Sequence, residues 1–239
     1  MLKRRLISLA ATAALAVGGA ITAAAPASAA TGCELNYGSQ AGTCVVAGNG
    51  TSGDNLSASL SSANSTFSFK ESSGAAVTIT CTHASFVAQA TSNPADGTAE
   101  ATEQINTLAF STCTINVAGV TVSSVNLKPT TVGGATVADD SGSPMLNVTQ
   151  LNEQVTLHTG LGNVICDYGV GGSVTQVQGV ITNPDSTGAG GSIAFGTDPV
   201  AYLSGPSFCG TAGSTGTFSA TFGTVTDTSE TGSPALYVL

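Results

Sequence analysis

His83 and His158 are the only imidazoles in a chain of 239 residues, so any search for general acid–base chemistry begins with them. His83 stands two positions after Cys81, and His158 closes a β-branched run at a polar edge. Neither has the H-E-x-x-H or H-x-H spacing that brings two imidazoles onto one metal. Each reads as a surface strand residue. A serine nucleophile needs a sharp strand-to-helix turn, and the nearest approach to G-x-S-x-G is Gly205-Pro206-Ser207-Phe208-Cys209, with cysteine in place of the last glycine. Ser207 therefore reads as a turn residue. Asp139 and Asp140, in Asp139-Asp140-Ser141-Gly142-Ser143, offer oxygens of the kind Ca²⁺ takes but lack the twelve-residue calcium-loop pattern. A solvated turn is the simpler reading. The chain has no Trp, four Tyr and eight Phe, which leaves few platforms for stacking sugar rings. Two carboxyls drawn from distant strands stay open as a glycosidase-type pair. The sequence itself assigns no catalytic, cofactor-binding or metal-binding residue.

Six cysteines, Cys33, Cys44, Cys81, Cys113, Cys166 and Cys209, follow one another at intervals of 11, 37, 32, 53 and 43 residues. No C-x-x-C pair occurs, so the spacing fits a disulfide framework rather than zinc. Locality favours sequential pairing, Cys33–Cys44, Cys81–Cys113 and Cys166–Cys209, among the fifteen connectivities that six cysteines allow. Each such pair encloses one short β unit.

Disulfides belong to an oxidising compartment, and the N-terminus agrees. Lys3, Arg4 and Arg5 precede an alanine-rich apolar stretch over 6–25, which ends in Pro26-Ala27-Ser28-Ala29. Small residues at Ala27 and Ala29 match the A-x-A of a secretory signal peptide. Residues 1–29 are accordingly expected to be removed, leaving 30–239 as the exported domain. A membrane anchor is the alternative for the same stretch, weakened by its alanine and threonine content. Arg4-Arg5 also raises twin-arginine export, although most of that pattern is missing. All 14 carboxylates lie beyond residue 29, against Lys70 and Lys128 alone, so the exported part carries a formal charge of 2 − 14 = −12. Such a surface repels phosphate backbones and has no basic stripe to release counterions, which excludes nucleic acid as an expected partner. With 41% hydrophobic residues the chain is not an acidic disordered tail.

These residues must be positioned by strands. β-branched alternation dominates over 65–69, 76–81, 85–90, 114–117, 120–127, 155–158, 163–168, 173–181, 192–195, 217–226 and 236–238. Turn signals separate these runs at Gly48-Asn49-Gly50, Gly53-Asp54, Asn93-Pro94, Gly133-Gly134, Ser141-Gly142, Asn183-Pro184-Asp185 and Gly190-Gly191. The run 99–108, with Glu100, Glu103 and Gln104, suits a short helical turn as well as it suits a strand. The expected fold is all-β, an antiparallel β-sandwich or barrel-like domain held by disulfides. A faint echo between Val77-Thr78-Ile79-Thr80-Cys81 and Gly162-Asn163-Val164-Ile165-Cys166 suggests two related β units, about 75–140 and 144–239. Strand-borne disulfides produce the same echo without any repeat.

The segments Val77-Thr78-Ile79-Thr80-Cys81-Thr82, Phe110-Ser111-Thr112-Cys113-Thr114, Phe208-Cys209 and Thr217-Phe218-Ser219-Ala220-Thr221-Phe222 resemble those of small secreted β proteins of actinobacteria. More distantly the pattern is similar to the activator-of-alkane-oxidation family of secreted matrix proteins. The resemblance does not extend to Cys33 and Cys44, and it implies a disulfide-bonded β fold outside the membrane. Three functional readings follow. The first is a non-enzymatic cell-envelope or extracellular-matrix structural or interaction protein, with an unknown envelope or extracellular partner and no cofactor. The second is an extracellular binding module for a small molecule or protein partner. The third is an extracellular hydrolase using dispersed carboxylates. The run Ala235-Leu236-Tyr237-Val238-Leu239 carries no sorting motif, so envelope attachment is expected to be non-covalent.

Overall fold

Successive strand residues point to opposite faces, so a run that alternates apolar and hydroxyl side chains buries one row and wets the other. In Ser65–Lys70, Phe67 and Phe69 are buried while Thr66, Ser68 and Lys70 face outward; in Thr215–Phe222, Phe218, Ala220 and Phe222 form the buried row. The computed structural model describes residues 33–48, 53–94, 99–128, 133–139 and 143–239. Residues 1–29, Asn49-Gly50, Asp140 and Ser141-Gly142 lie outside them.

The described chain is all strand and turn: β1 (Leu35–Tyr37), β2 (Thr43–Cys44), β3 (Asn55–Ser59), β4 (Ser65–Lys70), β5 (Ala76–Ser92), β6 (Ala101–Ile115), β7 (Thr121–Leu127), β8 (Gly133–Asp139), β9 (Pro144–Gln150), β10 (Asn152–Thr159), β11 (Gly162–Gly169), β12 (Val177–Thr182), β13 (Ser192–Ser204), β14 (Thr215–Phe222), β15 (Thr226–Asp227) and β16 (Leu236–Val238). Antiparallel pairing closes eight of them into a barrel, in the order β4, β5, β6, β8, β9, β12, β13, β14 and back to β4. The expected all-β, disulfide-held class is what forms, in its barrel version.

The barrel wall forks. β6 pairs with β8 through residues 101–105 and with β7 through Ala109 and Phe110, while β13 pairs with β12 through residues 192–194 and with β11 farther along its length. The branch β7-β10-β11 therefore bridges the far halves of the two strands whose near halves hold β8-β9-β12. The fork requires close backbone approach: a Cβ on Gly169 of β11 would overlap the Leu151 carbonyl. Pairing runs from β8 to β9 and from β7 to β10, across the boundary between 75–140 and 144–239. One core serves both segments.

Inside, aromatic rings pack in sequence along the barrel. Phe110 meets Phe67 at 5.0 Å between centroids, Phe67 meets Phe218 at 4.8 Å, Phe218 meets Phe195 at 5.5 Å, and Phe222 joins Phe195 to Phe86. Edge-on and tilted pairs of this kind add about 0.5–1.5 kcal/mol each beyond area burial.

One open alternative is decided and one expectation changes. Residues 101–108 form no helical turn; they are strand, because Ala101, Glu103 and Ile105 alternate inward while β5 supplies a partner along nearly the whole length. Gly133-Gly134 opens β8 instead of turning, since the absent side chain lets Gly133 sit against Ile105, whose Cβ would lie 2.8 Å from an added Cβ.

A second, three-stranded sheet, β16-β1-β2, caps one end of the barrel. Leu35 of β1 faces Val238 of β16 in register, and side-chain amides take the outward backbone groups of both. Asn93 accepts from the Leu35 N–H at 2.9 Å and donates to the Leu35 carbonyl at 2.8 Å. Asn183 does the same for Val238, at 2.8 and 2.7 Å. The two Asn-Pro dipeptides thus act as artificial strand edges.

Candidate functional site

Most residues singled out by chemistry lie apart on the surface. His83 is exposed on β5, with Nδ1 3.1 Å from the Thr82 hydroxyl; His158 is exposed on β10, with Nδ1 3.0 Å from Asn163 Oδ1. Ser207 sits exposed in the turn after β13. Asp139 ends β8 opposite Pro144. The six cysteines pair as Cys33–Cys44, Cys81–Cys113 and Cys166–Cys209. Cys81 and Cys113 stand directly opposite on β5 and β6, their Cα atoms 4.0 Å apart.

The chemically unusual residues are carboxyls that the barrel takes inside. Glu103 shares its face of β6 with Ala101 and Ile105, and Glu153 shares its face of β10 with Val155 and Leu157. Glu103 lines two small spaces. One, of about 20 Å³, lies beneath the cap between Phe86, Leu146, Ile193, Val225, Leu236 and Val238. The other, of about 40 Å³, lies at the barrel centre. Burial in this apolar setting pushes Glu103 up to about 7. Glu153 is 2% exposed, and neither of its oxygens has a hydrogen-bond partner. It lines a third space of about 20 Å³, walled by Phe67, Phe110, Tyr168 and Val200. Burial holds its carboxyl well above the ordinary range. Leu108, Leu151 and Phe218 belong to the walls of both the central space and that of Glu153, so the spaces adjoin from the cap inward.

No protein-family model, curated protein or solved structure matches the chain. The functional reading of this chain therefore comes from its own residues.

A further acidic group lies near the place where the two ends of the described residues meet. Asp227 of β15 is fully buried; its Oδ1 accepts from the Ser229 N–H at 2.9 Å, and its Oδ2 has no hydrogen-bond partner. Burial first, then the neighbouring Asp54 and Glu230 carboxyls, push it up to about 6. Asp54 is anchored in turn by the Val46 N–H at 2.7 Å. Tyr37 of β1 faces the same group, and burial followed by Glu230 raises its phenol. Among the described residues no set of three or more His, Cys, Asp or Glu side chains has metal-holding geometry.

Asp167 is the opposite case. Burial alone raises it, but Lys128 at 2.8 Å, Ser204 at 2.6 Å and Gln154 at 3.3 Å donate to its oxygens and bring it below its usual value. This cluster ties the end of β7 to β10, β11 and β13 at the fork.

A protonated carboxylic acid in an apolar wall can donate one hydrogen bond or surrender one proton, but attack on a substrate needs a reacting bond beside it. A water molecule needs about 10–15 Å³ of such space and a ligand pocket several hundred. The spaces beside Glu103 and Glu153 match the first. Sequence reasoning passed over both residues, yet strand phase marks them: Glu103 alternates with Ala101 and Ile105, Glu153 with Val155 and Leu157. An ionisable residue in phase with an apolar row is the legible sign.

Proposed function

We propose that the protein works outside the cytoplasm as a non-catalytic structural or interaction module of the cell envelope or extracellular matrix. The observation that carries this reading is how each part of the fold is locked. Cys33–Cys44 holds the cap, Cys81–Cys113 holds the long β5–β6 hairpin, and Cys166–Cys209 holds the forked branch to the segment after β13. The strand pair β1–β16 joins the two ends of the described domain. Cross-linking of this density suits an oxidising, unprotected compartment and long service rather than turnover. Among the described residues, the side-chain hydrogen bonds of the two histidines go to Thr82 and Asn163, a surface setting that supports the same assignment.

One surface feature favours binding as the form of interaction. A groove of about 280 Å³ between β4, β13 and β14 is mostly apolar, with Phe69, Ala76, Pro199 and Gly216 in its lining beside serine and threonine hydroxyls and Lys70. An apolar floor edged by hydroxyls and one ammonium suits a partner surface that offers an apolar group beside a polar or anionic one.

Culture fractionation with N-terminal sequencing, followed by ester, glycoside and peptide substrate screens, tests the assignment. The expected outcome is protein starting at Ala30 in the supernatant or envelope fraction, bound to isolated envelope material without turnover. Lys70→Ala is expected to weaken that binding several-fold. Turnover abolished by the double change His83→Ala and His158→Ala would replace the reading with an enzyme.

A further inference from the structure

The cap and the acids beneath and beside it form one mechanical unit. Leu236 and Val238 of β16, with Val225, roof the space over Glu103. The groups facing Glu103 there and in the central space are apolar apart from Thr182 and Ser192, and none is titratable. At the flank, Asp227 is pressed against Asp54 and Glu230, with the Tyr37 phenol on the cap side. The cap segment contributes one further carboxyl, Glu34, which is also buried. Lys70 and Lys128 lie elsewhere, on β4 and at the end of β7. Holding the cap down are hydrogen bonds from loop side chains: the Asn93 and Asn183 clamps and the Tyr237 hydroxyl, which donates to the Asp185 carbonyl at 2.6 Å. Cys33–Cys44 keeps β1 and β2 together whether or not the cap is seated.

We propose that the β16-β1-β2 sheet is a proton-operated lid on the barrel, seated while Glu103 and Asp227 hold their protons and released when they lose them. Geometry supplies both halves of this device. A carboxylate formed under the lid faces no cation among the residues lining its space, only apolar groups and the Thr182 and Ser192 hydroxyls, so the charged form gains by hydration, and the roof over it is what excludes water. A second charge between Asp54 and Asp227 repels across the seam between the start of β3 and β15, beside Tyr37 of β1. Both effects push the same way.

The sign follows from linkage. Below the ordinary carboxyl range both the seated and the released forms are protonated, and the lid stays shut. Between that range and about 7 for Glu103, or about 6 for Asp227, only the seated form keeps its protons, so release grows roughly tenfold per pH unit for each group. Above about 7 both forms are ionised and release levels off. Release bares Phe86, Leu146 and Ile193, an apolar mouth that the seated lid conceals.

Amide hydrogen exchange on the intact, oxidised protein tests the lid. Protection factors, corrected for the pH dependence of chemical exchange, are followed at Leu35, Leu236 and Val238, with Phe67 and Ile79 of the barrel as references. From about pH 5 to about pH 8, lid amides are expected to lose protection by about 1,000-fold, about 100-fold of it through Glu103 and about tenfold through Asp227, while the barrel amides keep theirs. Glu103→Gln and Asp227→Asn should each remove part of that loss. If Glu103→Gln fails to fold, Asp227→Asn and the parent profile decide. Equal protection at both pH values overturns the proposal, and so does a parallel fall at Phe67 and Ile79, which would mean global unfolding. Calcium restoring protection at about pH 8 in the parent but not in Asp227→Asn would also overturn it, since the seam would then be a cation site.

Discussion

Glu153 sets the residue-scale problem: a fully enclosed carboxyl with neither oxygen satisfied, in a wall of Phe, Leu, Tyr and Val. A buried polar group without a partner costs about 1–3 kcal/mol by mutational measures, so Glu153→Leu is expected to stabilise the protein by about that amount. Urea unfolding at constant pH checks it, and a lower midpoint would mean that the carboxyl has a partner in solution. Its raised pKa also gives a pH signature. The folded state binds the proton more tightly than the unfolded state, so this contribution is full below the ordinary carboxyl range and is lost as pH rises through the folded value. Glu153→Leu should therefore flatten stability on the neutral side of the profile. Thr112, φ 54° in β6 beside Cys113, is strained for a β-branched residue.

Elements are held here by side chains as much as by ladders. Asn93 and Asn183 each satisfy a donor and an acceptor on the paired residues Leu35 and Val238. Replacing either with alanine leaves part-buried backbone groups unpaired, an expected loss of about 1–3 kcal/mol. Exchange at β1 and β16 should quicken while the β4–β5 ladder stays protected; equal effects on both would place the clamps in the barrel's own stability. The sequence marked Asn93-Pro94 and Asn183-Pro184-Asp185 as turns. That they grip a separate sheet depends on β1 and β16 being brought together from opposite ends of the described residues.

At the scale of the whole molecule the three disulfides divide the work. In the chain-entropy account, closing loops of 11, 32 and 43 residues stabilises by about 3 to 4 kcal/mol each, more for the longer loops. Changing Cys166 and Cys209 together to serine is expected to lower the melting temperature more than the same change at Cys33 and Cys44. The reverse order would show that native contacts around the cap, and not loop entropy, dominate. The smaller effect should also localise, with exchange rising in β1 and β2 first.

Strand phase, cysteine spacing and turn residues by themselves determined an all-β, disulfide-held domain, because alternation and loop closure are local properties that a sequence displays directly. They also located most of β4, β5, β7, β10, β11, β12, β14 and β16. They did not reveal β8 and β9, nor that the runs on either side of Thr82 belong to one 17-residue strand. The fork is likewise invisible in sequence, since it follows from β6 and β13 each serving two neighbours on one edge. Only closure of the barrel, with the forked branch across it, turned Glu103 and Glu153 from polar strand residues into buried acids, because a residue's charge state depends on what surrounds it on every side, and those neighbours come from strands far away in the chain.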